Sequence, residues 1–190
     1  MRDSIVNELA DKIKSLMEFY AKNYDWKFSE EEYSQTPFRV ANFMEEMYQK
    51  YTYKKFTVFD NVENYDEMVI LRNINFDAFC SHHLLPFSGV VHVAYIPDKR
   101  VLGLSKIARI VASKAYQAQL QERMTKQIAT TIQKATNARG VMVVVEATHL
   151  CIASRGVEQR NSMAVTSSIT GVFKIDNKPR DEALKLMRIG

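Results

Sequence analysis

Both cysteines of this 190-residue chain and three of its four histidines fall in two short segments, Cys80-Ser81-His82-His83 and His149-Leu150-Cys151. Zinc favours thiolate and imidazole ligands, and Cys-x-x-His lets two side chains of one short loop meet a single ion. The stretch VMVVVEATHLCIA reads as a long strand, which would place His149 and Cys151 on one face of it. Cys80, His83 and Cys151 are therefore the expected metal ligands. Three protein ligands leave a fourth position open, the pattern of catalytic rather than structural zinc. That position takes a water, whose acidity the ion raises. His82 and His149 are then spare imidazoles, natural proton carriers near neutral pH. Two other readings stay open on these residues alone: a four-ligand structural zinc that recruits His82 or His149, and a pair of buried core cysteines.

The rest of the chain supplies a frame for these segments. Ile5, Leu9, Ile13, Leu16 and Tyr20 recur at helical spacing, so an amphipathic helix opens the chain. A second is expected to start at Thr36-Pro37, with Thr36 as cap, and to run through RVANFMEEMYQK. Residues 51–67 show no clear period and read as loop and short extended pieces. MVILRNI and FSGVVHVAYIP read as strands, the latter alternating Val90, His92, Ala94 and Ile96 against Val91, Val93 and Tyr95. His92 stands alone on its strand and reads as structural or surface. Ser105 is expected to cap a helix with the apolar stripe Ile107, Ile110 and Val111. Leu120, Met124, Ile128 and Ile132 mark a further helix, which Gly140 would end. MAVTSSITGVF reads as a strand and DEALKLMR as a closing helix. The class is α+β, with a helical segment over residues 1–50 and one catalytic domain over 51–190.

Composition bounds the partners. At 46% hydrophobic and 25% charged the chain is ordinary for a globular protein. A net charge of +4 suits a phosphate-bearing ligand and is too weak to argue for nucleic acid. No apolar run approaches the roughly 18 residues needed to span a membrane, and MRDSIVNELADKIKSLM lacks a signal-peptide core. The expectation is a cytoplasmic protein without nucleic-acid or membrane partners. In a reducing compartment, two cysteines are thiols or ligands rather than a disulfide.

Three further clusters carry chemistry. In GLSKIAR, Ser105 and Lys106 stand at a helix start with Arg109 one turn on, a combination of N–H groups and cations that suits an anion. In QLQER, Leu120 belongs to the apolar stripe, so Gln121 and Glu122 project elsewhere. A carboxylate there can accept hydrogen bonds from an edge such as that of guanine. Arg155, just beyond Cys151, could grip phosphate, and Arg39 in TPFR is a weaker candidate of the same kind.

Taken in order and spacing, Cys80-x-His82-His83, GLSKIAR, QxQER, HLC and the RGV…TSS…GVF tail closely resemble the GTP cyclohydrolase I family. The likeness is clear from Glu67 to Phe173 and weaker from Thr36 to Tyr48. It implies a tunnelling fold: N-terminal helices, an antiparallel sheet with helices packed on one face, and subunit sheets joined into a barrel. It implies a homodecamer with active sites at subunit boundaries and one zinc per subunit. The implied reaction converts GTP and water to 7,8-dihydroneopterin triphosphate and formate, an entry into pterin and folate synthesis. Cys80, His83 and Cys151 fall on the zinc ligands, and His82 and His149 on the catalytic histidines. Glu122 falls on the carboxylate that holds guanine, with Gln121 beside it. Ser105, Lys106, Arg109 and Arg155 fall on triphosphate and late-step positions, and Arg39 on a further phosphate contact. In the implied mechanism zinc-bound water attacks guanine C8 while His149 protonates N7, and His82 and Ser105 handle protons in later steps.

Two positions depart from the family's pattern: Ser81 stands where it usually has Glu, and Gln117 where it usually has Arg. Each removes a charge near the site. They motivate an alternative, a relative on the same fold that acts on a different guanine nucleotide or only binds purine or pterin. A non-enzymatic zinc module that binds nucleic acid is a third reading, against which the mild charge and the lack of aromatic-basic stripes speak.

Overall fold

The computed structural model describes residues 2–49 and 56–187. The chain forms two compact units that divide between residues 50 and 51.

The first unit is a helical pair, α1 (Arg2–Tyr24) and α2 (Glu30–Gln49). On α1 the buried positions are Val6, Ala10 and Met17, whereas Ile5 and Leu16 of the expected stripe are about half exposed. The apolar face is thus rotated by one residue from the expected stripe, with Leu9 packed beside Val6, Ala10 and Ala41. The second helix begins well before Thr36. Ser29 and Glu32 form a reciprocal capping box: Ser29 N–H donates to Glu32 Oε2 at 2.8 Å, and Glu32 N–H to Ser29 Oγ at 3.2 Å. Pro37 therefore lies inside the helix, where it forgoes one backbone hydrogen bond rather than opening the helix. Lys50, the end of the expected second helix, lies outside the described residues.

The second unit runs β1 (Val58–Asp60), β2 (Val69–Cys80), β3 (Pro86–Ile96), β4 (Arg100–Leu102), α3 (Leu104–Ala115), β5 (Ala118–Gln119) and α4 (Gln121–Thr136). It continues through β6 (Gly140–His149), α5 (Leu150–Ala153), β7 (Ala164–Ile169), α6 (Val172–Ile175) and α7 (Asn177–Met187). Among the described residues the main sheet has the order β5-β2-β3-β6-β7, antiparallel except for β2 with β5, and β1 pairs with β4 in a separate ribbon. With the N-terminal helices, this is the α+β tunnelling architecture that the sequence implies.

Several boundaries differ from the sequence reading. Strand β2 extends to Cys80, past a bulge between Leu71 and Ile74 where Asn73 adopts φ 56°. Helix α3 is capped by Gly103 in extended conformation, without a side-chain cap, so Ser105 is not the cap. Helix α4 ends at Asn137 in the left-handed conformation, φ 52°, and Gly140 instead opens β6. Over 51–67 the expected short extended piece is the strand Val58–Asp60, and residues 51–55 lie outside those described. The closing helix starts at Asn177, and its expected last residue, Arg188, is likewise outside.

The period-two alternation sorts the sheet's two faces. Val91, Val93 and Tyr95 of β3 and Val141, Val143 and Val145 of β6 are buried with Ile107, Ile110 and Val111 of α3 and Met124, Ile128 and Ile132 of α4. Burial of each such side chain contributes about 1.5–3 kcal/mol. On the other face Ala94, Met142 and Val144 pack with Phe173, Ala183 and Met187. The strands approach closely at Gly89, where an added Cβ would lie 1.9 Å from the Glu146 carbonyl oxygen. One end of this sheet collects the segments of interest. There β2 finishes at Cys80, α4 begins at Gln121, and Phe87 of β3 is paired in register with His149 of β6.

Candidate active site

The loop after β2 is a tight turn stitched by its own backbone. Cys80 N–H donates to the Leu85 carbonyl at 2.9 Å, and Leu84 N–H to the Cys80 carbonyl at 2.8 Å. Leu84 adopts a left-handed conformation, φ 53°, to close it. The turn sets His83 Nδ1 3.9 Å from Cys80 Sγ. On the facing segment, His149 is the last residue of β6 and Cys151 lies in the helical turn α5. The expected shared strand face therefore does not exist, because the chain turns helical at Leu150. It is this turn that brings Cys151 back beside His149: the donor atoms of Cys80, His149 and Cys151 all lie within 4.8 Å of one another.

Two sulfurs and an imidazole at this separation form a candidate metal-binding site, whose imidazole is that of His149 rather than of His83, the expected ligand, which lies beside Cys80 but outside that group. Zinc's bond lengths, about 2.0–2.3 Å, put tetrahedral ligands roughly 3.3–3.8 Å apart, so small side-chain adjustments suffice. The donor set also matches zinc's preference for sulfur and nitrogen. Both cysteines are free thiols. Burial and the neighbouring Cys80 thiol push the Cys151 thiol above its ordinary value, against the opposing charge of Arg155. A divalent cation would reverse that balance and hold both sulfurs as thiolates.

The His149 ring lies flat against Phe87, centroids 4.4 Å apart and planes 7° apart. Its Nε2 is 2.8 Å from Gln121 Oε1. Burial holds His149 below the ordinary imidazole value, partly offset by the carboxylate of Glu122. A cavity of about 320 Å³ opens here. Cys80, His82, His83, His149 and Cys151 border it, and Gln121 and Glu122 form part of its wall. The cavity thus joins a soft metal-donor set, two histidines of the exposed turn and one carboxylate. That is enough to bind an N–H-rich heterocycle next to an ion.

The remaining predicted residues lie elsewhere. Ser105, Lys106 and Arg109 occupy the first turns of α3, outside this cavity's lining. Arg155 follows α5 and is exposed, close enough for its charge to act on Cys151. Arg39 belongs to the first unit, on α2, where it pairs with Glu31 at 3.2 Å. Gln121, expected to project away from the core, is instead buried, because Leu120 is the helix cap rather than a member of the stripe. Sequence reasoning passed over Phe87 and Thr166, which contact His149 and Gln121 respectively. Phe87 stands at the start of a strand the sequence shows, but its register opposite His149 is set only by the folded sheet. Nothing in a hydroxyl within TSS singles out Thr166.

Comparisons with known proteins agree with this geometry. The family model described as GTP cyclohydrolase I matches residues 10–188. GTP cyclohydrolase 1 of Sulfurihydrogenibium sp. (strain YO3AOP1) is 51% identical over 152 residues, covering 80% of this chain and 81% of that protein. The Aquifex aeolicus (strain VF5) protein of that name is 42% identical over 178 residues, covering 94% of this chain and 96% of its own. The Homo sapiens protein is 48% identical over 156 residues, which span 80% of this chain and 62% of the human one. A match over nearly the whole chain, with the Cys and His segments meeting at one cavity, establishes that this chain belongs to the GTP cyclohydrolase I family.

Proposed function

We infer that the protein converts GTP and water to 7,8-dihydroneopterin triphosphate and formate. The observation that carries this reading is the meeting of Cys80, Cys151 and His149 beside a cavity whose wall holds Glu122. As the resemblance implies, Cys80, His83 and Cys151 would hold one zinc ion per subunit, with His83 taking the imidazole position and His149, which the geometry gathers with the two thiols, left free as an acid. When bound, zinc supplies a Lewis acid that makes water available as a nucleophile near neutral pH.

The chain's own residues perform the rest. Glu122 accepts hydrogen bonds from the N–H edge of guanine and fixes the base with C8 towards the metal donors. His149, once it has taken up a second proton, delivers it to N7, which makes C8 electrophilic and lets the imidazole ring of the base open. Its low basicity suits it to give that proton up. A second hydrolysis releases the carbon as formate. His82, on the exposed turn, and Ser105 then move protons as the ribose opens, rearranges to a ketone and closes on the freed amine. Lys106, Arg109 and Arg155 neutralise the triphosphate. Lys106 and Arg109 lie outside the cavity lining of one chain, and a homo-oligomer with sites at subunit boundaries reconciles that position with their role. We take the oligomer to be a decamer whose sheets close into a barrel, acting in the cytoplasm. Among the described residues no helix is long and apolar enough to cross a membrane.

His149→Ala tests the assignment. The variant should keep its fold and zinc content and lose formate release. Loss of zinc together with stability would instead mark a structural metal site. Turnover of another guanine nucleotide but not GTP by the unaltered protein would transfer the reading to a specialised relative, for which Ser81 and Gln117 are the motive.

A further inference from the structure

One side chain of the cavity wall is hydrogen-bonded so that its direction is determined. Gln121 opens α4 and is 3% exposed. Its Nε2 lies 3.1 Å from the Val145 carbonyl oxygen, 3.0 Å from that of Ala164 and 3.2 Å from Thr166 Oγ1. The two carbonyls can only accept, so the amide nitrogen must face them and the carboxamide oxygen must face the other way. That oxygen lies 2.8 Å from His149 Nε2. A carboxamide oxygen has no proton to give, so His149 Nε2–H is the donor. A neutral imidazole carries one proton, and its lone pair is then on Nδ1.

The neighbouring hydroxyls agree with this assignment. Thr125 Oγ1 lies 2.7 Å from the Gln121 backbone carbonyl, which can only accept, and 2.7 Å from Thr166 Oγ1. With the Thr125 proton on the carbonyl, Thr166 must donate to Thr125, and Thr166 shares as acceptor one of the two Gln121 amide protons that also face the Val145 and Ala164 carbonyls. The donors thus run one way around the loop from the Gln121 amide to Thr166, to Thr125 and back to the Gln121 carbonyl. Thr125 is 1% exposed, so bulk water does not compete for these groups. The stack on Phe87 fixes the plane of the His149 ring, and the Gln121 oxygen fixes its rotation within that plane.

We propose that Gln121 is a positioning residue for His149, holding it as the Nε2–H tautomer so that Nδ1 is the ring's single lone pair. The proposal rests on the reading of His149 as the histidine that works beside the metal. It gives Gln121 a task other than gripping guanine with its amide, both ends of which are engaged within the protein. Any proton that His149 takes up and passes on then goes through Nδ1. Outer partners of this kind set a ring's orientation and basicity, and by analogy with the partners of metal-ligating histidines their loss costs about 10- to 100-fold in activity.

The test is solid-state ¹⁵N NMR of the full-length, zinc-loaded protein labelled at histidine. With four histidines in the chain, His149 is identified by the signal missing from His149→Ala. The unaltered protein should show His149 with a proton on Nε2 and none on Nδ1. Gln121→Met keeps the length and removes the acceptor. It should mix or invert the tautomers and lower kcat for GTP about 10- to 100-fold, with KM and zinc content changed less than about twofold. Thr166→Val leaves Gln121 in place and breaks the hydroxyl loop. It should shift the same signal by less, and it serves if Gln121→Met does not fold. A proton on Nδ1 in the unaltered protein overturns the proposal, as does an unchanged His149 spectrum in the variants. A raised KM with kcat intact in Gln121→Met also overturns it, because the amide would then be gripping the base. If the unaltered protein turns over no GTP, the functional reading fails while the spectrum still decides the tautomer.

Discussion

The contact between Phe87 and His149 can be measured without any assay of activity. Phe87 is 1% exposed and touches two rings: His149, stacked at 4.4 Å, and Phe76, edge-on at 5.7 Å and 74°. Replacing it with leucine keeps an apolar side chain at the site and removes both ring–ring contacts. Such pairs are worth about 0.5–1.5 kcal/mol each beyond area burial. Phe87→Leu should therefore cost about 1–3 kcal/mol, half of it through His149. A double-mutant cycle isolates that half: in a His149→Ala background the Phe87→Leu penalty should shrink by about 0.5–1.5 kcal/mol. The assay is urea unfolding of zinc-loaded protein at one fixed protein concentration, followed by far-UV circular dichroism, because subunit association adds to apparent stability. Penalties that add to within about 0.3–0.5 kcal/mol would refute the stacking, and with it the claim that β3 braces the histidine.

Other consequences are open to direct measurement. Glu122→Ala should weaken GTP binding by about 10- to 150-fold, the equivalent of one charge-assisted hydrogen-bond pair at about 1.5–3 kcal/mol, with zinc content unchanged; calorimetric titration reads both. Lys106→Ala and Arg109→Ala should each lower the salt dependence of GTP binding while leaving guanosine binding as it was, and equal affinity of the unaltered protein for GTP and guanosine would contradict the phosphate role. Burial pushes His92 below its ordinary 6.5, with Glu146 opposing. The unfolded chain then binds the proton at higher pH than the folded one, so stability should fall as pH drops below about 6.5. His92→Gln should flatten that slope in urea midpoints measured from about pH 7.5 to 5.5, and an unchanged slope would place its origin elsewhere.

The sequence carried the architecture wherever period decided it. The alternation of Val91, Val93 and Tyr95 against His92 and Ala94 is the alternation of the sheet's two faces, and Met124, Ile128 and Ile132 are the buried stripe of α4. Where local hydrogen bonding competed with period, the reading slipped. The Ser29–Glu32 box starts α2 ahead of the more conspicuous Thr36-Pro37, and Gly103 caps α3 although Ser105 is the better capping residue type. The gathering of Cys and His was legible because these are the sulfur and nitrogen ligands that zinc favours and five of the six stand in two segments. The means of gathering was not: periodicity continues a strand through Cys151, and only the helical turn at Leu150 brings the thiol back towards His149. Gln121 shows the limit most clearly. Its residue type suggests a contact to a base, and only the surrounding carbonyls of β6 and β7 turn its oxygen towards the histidine.

The central claim is that this cavity opens the guanine ring of GTP and expels its C8 carbon. Incubating zinc-loaded protein with GTP, while following formate and the pterin absorbance together, addresses it most directly. The account predicts that both products appear in equal amounts and that both stop when zinc is removed by a chelator. Formate or a ring-opened formamide without pterin would contradict the later steps assigned to His82 and Ser105, and neither product despite bound zinc would contradict the claim itself.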